Sequence, residues 1–307
     1  MLFAALSVIW GTPYLLIRIA VRDFSPPTLV FFRTGTAGLA FLPFLFRREV
    51  LRSLWNHWRA LVVYTVIEVA IPWLLLSTAE QRLTSSLSGL LIATVPLIAI
   101  VWSWTTRHEG RPAWSRLAGL VVGFAGVAVI VGVDVHGPDV IAVFEVLGTA
   151  VCYAIGPFII ARNLATVSSS AAVGTSLVLT ALGYAPVGLT HLPGHLTPEV
   201  IASVAILVAV CTGVAFLVYF ALIAEVGPAR ATVITYVNPA VAVVLGIVIL
   251  HERFSLGLAL GVPLVLIGSF LGTVGARPPA PGESASSADP TAPATAEHDR
   301  LATDGET

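Results

Sequence analysis

The sequence predicts an all-α integral membrane protein whose ten transmembrane helices form two inverted five-helix repeats. Three observations support this fold class. The 307 residues are 57% hydrophobic and only 11% charged, whereas about a quarter of the residues in a typical soluble domain are charged. Ten apolar runs of bilayer length follow one another along the chain. The last five runs also repeat features of the first five.

Each predicted span is a run of about 20 mostly apolar residues, the length that crosses about 30 Å of hydrocarbon. Span 6 is the weakest, because Glu145 lies near its start and Gly156-Pro157 interrupts it. Residues 275–307 are rich in Pro, Ala, Ser, Thr and acids, so we predict a disordered cytoplasmic tail there. Spans 1 to 10 cover residues 2–20, 28–46, 58–77, 86–104, 115–133, 141–161, 170–189, 199–220, 228–250 and 255–274.

The arginines predict the orientation, since positive charge marks the cytoplasmic side of a membrane protein. One side of the predicted bundle carries chiefly Arg22, Arg82 and Arg253. Both termini are therefore expected in the cytoplasm, and we predict a multi-pass protein of the bacterial cytoplasmic membrane. The links on the richer side, between spans 2 and 3, 4 and 5, 6 and 7, and 8 and 9, are flanked by Arg47, Arg48, Arg52, Arg59, Arg107, Arg111, Arg116, Arg162 and Arg230.

A constant separation in sequence relates the two halves, which we assign to residues 1–133 and 134–274. We call the distance along the chain from Pro96 to Pro239 the repeat offset. Five spans per half is an odd number, so the halves must be inverted relative to each other, as in many transporters. Glycines at 119 and 126 in span 5 match glycines at 261 and 268 in span 10 after a one-residue gap. The pairs at the repeat offset are Pro96 with Pro239, His108-Glu109 with His251-Glu252, and Trp10 with Tyr153.

The chain resembles the drug/metabolite transporter superfamily, EamA type, over nearly all of residues 1–274. The resemblance includes the opening W-G-T-P from Trp10 to Pro13, Ser25-Pro26, and Arg33 in span 2. It also includes the two offset prolines, each followed by a glutamate at the helix end, and the glycine-spaced spans 5 and 10. The resemblance implies a ten-helix carrier that exports or exchanges small metabolites by alternating access. Glu68 in span 3 departs from the common pattern.

Glu68 is the foremost candidate for substrate binding. A charge near the middle of a span costs at least about 2.5 kcal/mol, and Pro72, four residues on, weakens the local hydrogen-bond ladder. A carboxylate there can bind a substrate ammonium or take up a coupling proton. Alternatively, Glu68 pairs with a buried arginine or stays protonated and bridges helices. Arg33 can neutralise Glu68, hold a substrate carboxylate, or serve a structural role.

Pro96 and Pro239 are predicted to break their helices at equivalent depths and to take part in gating, because irregular backbone at membrane depth lines cavities. They can also be simple kinks. Polar residues just before them can contact substrate, and aromatic residues can form the wall of a cavity, although single aromatics more often pack. These further candidates are Trp10, Tyr14, Trp73, Thr94, Tyr153, Thr235, Tyr236 and Asn238.

The sequence favours a secondary active transporter over two rival classes. Without lysine, the chain cannot form a P-loop, so coupling to a proton or ion gradient, or exchange, is expected. A membrane-embedded enzyme would need a catalytic cluster that the spans lack, and a channel or lipid scramblase is the other alternative. Amino acids or related compounds are the expected substrates, and membrane lipids the other partners. We expect no cofactor, no metal and no nucleic acid. The His-Glu pairs are interpreted as helix-ending ion pairs.

Overall fold

The structure is a computed structural model that describes residues 2–106, 114–134, 139–226, 234 and 237–273. Within those ranges the regular structure is entirely helical. Thr235 and Tyr236, the pair His108-Glu109 and the predicted tail lie outside the described residues.

The first five predicted spans are long helices. All five are apolar and long enough to cross a membrane. A short helix that the sequence did not predict, Arg48–Asn56, lies between spans 2 and 3 and buries Leu54 in a cluster that also includes Leu45 and Leu61. The helical stretches of spans 1 to 5 are Leu2–Ala20, Pro26–Leu45, Trp58–Ala79, Ser85–Thr105 and Trp114–Asp134. Span 1 consists of the successive helices Leu2–Gly11 and Pro13–Ala20, and span 4 of Ser85–Ile92 and Val95–Thr105.

In the part of the second half that the structure describes, two more long helices and three shorter apolar ones follow. Span 6 is one continuous helix, so the predicted interruption at Gly156-Pro157 is wrong; Pro157 lies inside the helix. A membrane helix tolerates such a proline where neighbouring groups satisfy the freed carbonyl. Spans 6 to 10 contain the helices Asp139–Asn163, Ser169–Thr190, Pro198–Val208 continued by Ala209–Val214 and Ala215–Val226, Asn238–Leu250, and Leu256–Thr273.

The main helix contacts join one half of the chain to the other. Span 5 packs on span 10, span 2 on span 7, and span 4 on span 9. Span 3 packs on span 6, and span 1 packs on span 8. Exchanging each span for its counterpart five places along the chain leaves this pattern unchanged.

Close packing of spans 5 and 10 depends on glycine. A Cβ at Gly268 would collide with the backbone of Gly123 and lie 2.7 Å from the carbonyl oxygen of Gly119. A Cβ at Gly126 would lie 2.8 Å from Leu264. Small residues let helix backbones approach closely in a membrane, so these two spans hold the halves together along one edge.

Candidate functional site

Span 4 is broken, and span 9 contains a helix that begins at the equivalent position. In span 4 the helix Ser85–Ile92 ends and a new helix, Val95–Thr105, begins after Thr94. The span 9 helix Asn238–Leu250 begins one repeat offset after Val95. Pro96 and Pro239 are each the second residue of their helix, where a missing N–H costs little because first-turn donors have no helical acceptor. The prolines therefore start helices, whereas the sequence suggested that they break them at mid-length.

Two π-helical segments also occupy equivalent positions. They are Thr65–Ala70 in span 3 and Ala209–Val214 in span 8. Glu68 lies in the first segment, and Cys211, one repeat offset later, lies in the second. In span 3 the cause is local: Pro72 has no N–H to donate to the carbonyl of Glu68, so the ordinary ladder is interrupted there. Single π turns within α-helices are frequent at functional sites.

Glu68 points from the first π segment towards span 6. Its Oε2 atom is buried and has no hydrogen-bond partner. Gly156 of span 6 lies directly against this carboxylate, because a Cβ at Gly156 would overlap Oε2 and come within 2.7 Å of the carboxyl carbon. The glycine thus provides the space that the acid occupies. A buried carboxylate oxygen without a donor is costly, so it is a point at which a ligand or a proton can bind.

Arg33 of span 2 lies in the same region, since Tyr153 interacts electrostatically with both Glu68 and Arg33. The guanidinium carbon of Arg33 is 3.7 Å from the centroid of the Trp73 ring, a cation–π contact. Arg33 is only 9% exposed, and its Nε has no hydrogen-bond partner. Trp73 is also close enough to Tyr153 for their side chains to interact. Glu68 Oε2 and Arg33 Nε therefore do not form the Glu68–Arg33 pair that the sequence offered as an alternative.

Tyr14 of span 1 completes what we call the central cluster. It is buried and interacts electrostatically with Tyr153 and Arg33. Spans 1, 2, 3 and 6 therefore converge on one region with an acid, a cation and three aromatic side chains. Five of the residues that the sequence predicted for substrate binding meet here. The central cluster consists of Tyr14, Arg33, Glu68, Trp73 and Tyr153.

The other described candidates lie outside the central cluster. Trp10 packs against Tyr219 of span 8, with ring centroids 4.9 Å apart. The hydroxyl of Thr94, at the break in span 4, donates to the carbonyl of Leu91 in the same span at 2.6 Å. Asn238, at the start of the span 9 helix, has a buried Oδ1 without a hydrogen-bond partner.

Two residues near the central cluster were not recognised from the sequence. Cys211 interacts electrostatically with Arg33, and its position one repeat offset after Glu68 was the available signal. Glu80 follows the end of span 3, is 0% exposed, and has no hydrogen-bond partner on either carboxylate oxygen. Its place at the end of an apolar run resembled an ordinary helix terminus, so the sequence concealed its burial.

Among the described residues, three carboxylates bind helix starts at the end of the bundle where spans 1, 3, 5, 7 and 9 finish, which we call the capped end. Asp23 and Glu252 each bind a helix start from the other half of the chain, and Asp134, the last residue of the span 5 helix, binds the start of span 10. Asp23 accepts from the N–H and hydroxyl of Thr197, which precedes span 8. Asp134 accepts from Ser255 before span 10. Anionic groups at helix starts are stabilising, because unsatisfied N–H groups and the helix dipole face them.

Glu252 makes the most extensive of these caps. Its oxygens accept from the N–H groups of Ser85 and Ser86 at 2.7 and 3.0 Å, and from their hydroxyls at 3.0 and 2.5 Å. His251 ends the span 9 helix with a left-handed φ of 54°. Helix termination at His251-Glu252 is thus confirmed, but the expected ion pair is wrong: Glu252 binds the start of span 4.

A cavity of about 620 Å³ lies near the capped end, between spans 2 and 8. Its lining is almost wholly apolar and includes Phe24, Phe32 and Val204, with Thr36 as the polar exception. None of the five residues of the central cluster belongs to this lining. The chemistry of the site is therefore separate from this space.

Long apolar helices and buried charges at broken helix segments define a multi-pass membrane transport protein. The chain belongs to the EamA-like transporter family, which it matches over residues 1–132 and again over residues 140–274.

Similar proteins agree with this class. The uncharacterized inner membrane transporter YedA of Escherichia coli (strain K12) is 30% identical over 288 residues, covering 87% of this chain and 90% of YedA. The uncharacterized transporter YvbV of Bacillus subtilis is 25% identical, covering 87% and 88% of the two chains. A solved structure described as "Crystal structure of protein" has a TM-score of 0.63 at 21% identity, covering 89% and 96%. That likeness shows the fold.

Proposed function

We propose that the protein is a secondary active transporter that exports or exchanges a small zwitterionic metabolite, such as an amino acid, by alternating access. One observation carries the proposal: Glu68 Oε2 and Arg33 Nε are both buried and both without a hydrogen-bond partner, and both side chains interact electrostatically with Tyr153. Leaving two such groups unsatisfied is costly. A substrate with an ammonium and a carboxylate group would satisfy Glu68 and Arg33 together.

The proposed binding surface is the central cluster. Trp73, Tyr14 and Tyr153 supply aromatic walls, and Trp73 also holds the guanidinium of Arg33 in place through their close contact. We place Trp10, Thr94 and Asn238 in an outer layer that the substrate meets as the halves move. Thr235 and Tyr236, outside the described residues, stay candidates for substrate contact. Pro96 and Pro239 start the helices that shift during gating.

The pairing of spans across the two halves supports a carrier built as two inverted repeats with ten crossings. Helix starts at Val95 and Asn238, separated by the repeat offset, are consistent with a central site between the repeats. The arginine distribution supports cytoplasmic termini. Since the chain has no lysine for a P-loop, an ion gradient or a counter-substrate supplies the driving force.

Counterflow in proteoliposomes tests the proposal. Labelled amino acids are compared with their decarboxylated amines and deaminated acids. Glu68→Gln should weaken the binding of substrates that carry an ammonium, and Arg33→Gln that of substrates that carry a carboxylate. A hydrogen bond to a charged group contributes about 1.5–3 kcal/mol. Each variant should therefore lose substrate affinity by roughly ten- to a hundredfold.

The matched controls are Glu199→Gln and Arg48→Gln, which remove exposed charges of the same kinds. Both should behave like wild type. Wild-type affinity in both Glu68→Gln and Arg33→Gln would contradict the proposed site. Conversion of the label to a new compound would indicate an enzyme, and a flux that does not saturate would indicate a channel.

A further inference from the structure

Glu80 is the most deeply buried acid among the described residues. Its exposure is 0%, and neither Oε1 nor Oε2 has a hydrogen-bond partner. The residue immediately follows the span 3 helix, close to the capped end. An ionised carboxylate held this way would lose its hydration and gain no donor in return, which is strongly unfavourable. A protonated carboxyl avoids most of that cost.

The groups that act on Glu80 come from three directions. Tyr14 and Arg18 belong to span 1, Arg33 to span 2, and Glu252 follows span 9. Arg18 is the nearest source of positive charge, but its Nη1 donates to the backbone carbonyl of Glu80 and not to the carboxylate. Glu252 adds negative charge, which disfavours ionisation of Glu80.

Glu80 and Glu252 thus form an unequal pair. Glu252 accepts four hydrogen bonds from Ser85 and Ser86, at the start of a helix. Glu80 accepts none through its carboxylate. Burial is the largest cause that raises the pKa of the Glu80 carboxyl above its ordinary value. An acid that is buried without donors holds its proton more readily than a solvated one.

We propose that Glu80 is a proton-binding site, protonated while the capped end is closed and deprotonated when that end opens. Opening separates the Glu252 cap from the start of span 4 and lets water reach Glu80. The carboxyl then transfers its proton to a water molecule, and the resulting carboxylate faces Arg18. Closure requires proton uptake before the acid can be buried again. The role of this site in coupling rests on the proposed function, whereas the protonation itself does not.

Infrared spectroscopy of the purified protein at neutral pH tests the protonation without any substrate. We expect wild type to show the carbonyl-stretch band of a protonated, buried carboxylic acid that Glu80→Gln lacks. The exposed acid Glu199 provides the control, and Glu199→Gln should leave the band intact. If Glu80→Gln does not fold, Glu80→Asp should shift the band. A band identical to that of wild type in either Glu80 variant would overturn the proposal.

Thermal unfolding against pH gives a second readout. Because the pKa of Glu80 is raised in the folded protein, its stabilising contribution is fully present below the ordinary glutamate pKa of about 4.3. That contribution is lost as the pH rises through the folded-state pKa. We expect Glu80→Gln to unfold with a shallower decline in melting temperature over this range. Equal declines in wild type and Glu80→Gln would contradict the proposal.

Transport then tests the coupling separately. With the membrane potential clamped at zero, a gradient of one pH unit coupled to one proton supports about a tenfold substrate gradient. Wild type should approach this accumulation, and Glu80→Gln should lose it. If substrate binding fails to depend on Glu68 and Arg33 while the infrared band still depends on Glu80, the proposed function fails and the proton site stands. Undiminished accumulation by Glu80→Gln would exclude the site from coupling.

Discussion

The two π-helical segments have the same backbone irregularity but carry different side chains. Thr65–Ala70 presents Glu68, a carboxylate with a buried oxygen that has no donor. Ala209–Val214 presents Cys211, a buried thiol. The repeat offset separates the two residues. Equivalent backbone irregularities are therefore retained in both halves, while the charge is found in only one.

The same asymmetry extends to the cation. The residue one repeat offset after Arg33 is Ser176. Its hydroxyl accepts from Thr65 at 3.1 Å and donates to the carbonyl of Ala172 at 2.8 Å, so it has a structural role beside the first π segment. The comparison teaches that a repeat can conserve the breaks needed for movement while one half alone supplies the charges of the site.

Exchanging the two π-segment residues should have the largest effect. In a Glu68→Cys, Cys211→Glu protein we expect substrate affinity to fall by at least about tenfold, as in Glu68→Gln. The new glutamate would lie near Arg33 and neutralise it. The position equivalent to Gly156 is Pro13, which offers no comparable space. Binding assays measure the substrate affinity of the exchange variant and of Cys211→Ala. The affinity of Cys211→Ala should stay near that of wild type. Substantial binding by the exchange variant would mean that the halves are chemically interchangeable.

Gly156→Ala should have the next largest effect, because the new Cβ would overlap Glu68 Oε2. Overpacking of this kind costs about 1–3 kcal/mol, which corresponds to roughly 5- to 150-fold in affinity. The matched control is Gly183→Ala, also within a long helix but with no atom within 4 Å of the added Cβ. Equal substrate affinities of the two variants would show that the fit of Glu68 against span 6 is unimportant.

The smallest effect on transport is expected for Pro96→Ala and Pro239→Ala. The two variants should be slowed to a similar extent. Each proline occupies the first turn of its helix. There it stabilises the folded protein by about 0.4–1 kcal/mol, because it restricts the unfolded chain. We expect both variants to insert normally and to transport roughly two- to fivefold more slowly. Initial rates of counterflow measure this. A large effect in one variant alone would show that the two breaks do not work as a pair.

Much of the central cluster was predictable. Glu68, Arg33 and Trp73 were identified because charged and large aromatic residues within an apolar span need a reason to be there. Glu80 was not, since a glutamate at a helix end is usually exposed. The roles of Glu252 and His251 were also only half predicted: the helix end is a local property, but the four hydrogen bonds that Glu252 accepts depend on the start of span 4, far away in the chain.

The sequence by itself determined that the chain is a membrane protein, that its halves are related by one constant offset, and which residues could carry charge into the spans. These properties depend on run length, composition and spacing, which are local. The tertiary structure alone decided that Gly156 makes room for Glu68, that Arg33 lies over Trp73, and that Glu80 is buried without a partner for its carboxylate. Each of these depends on which helix faces which across the two halves, and burial and pairing are properties of that packing.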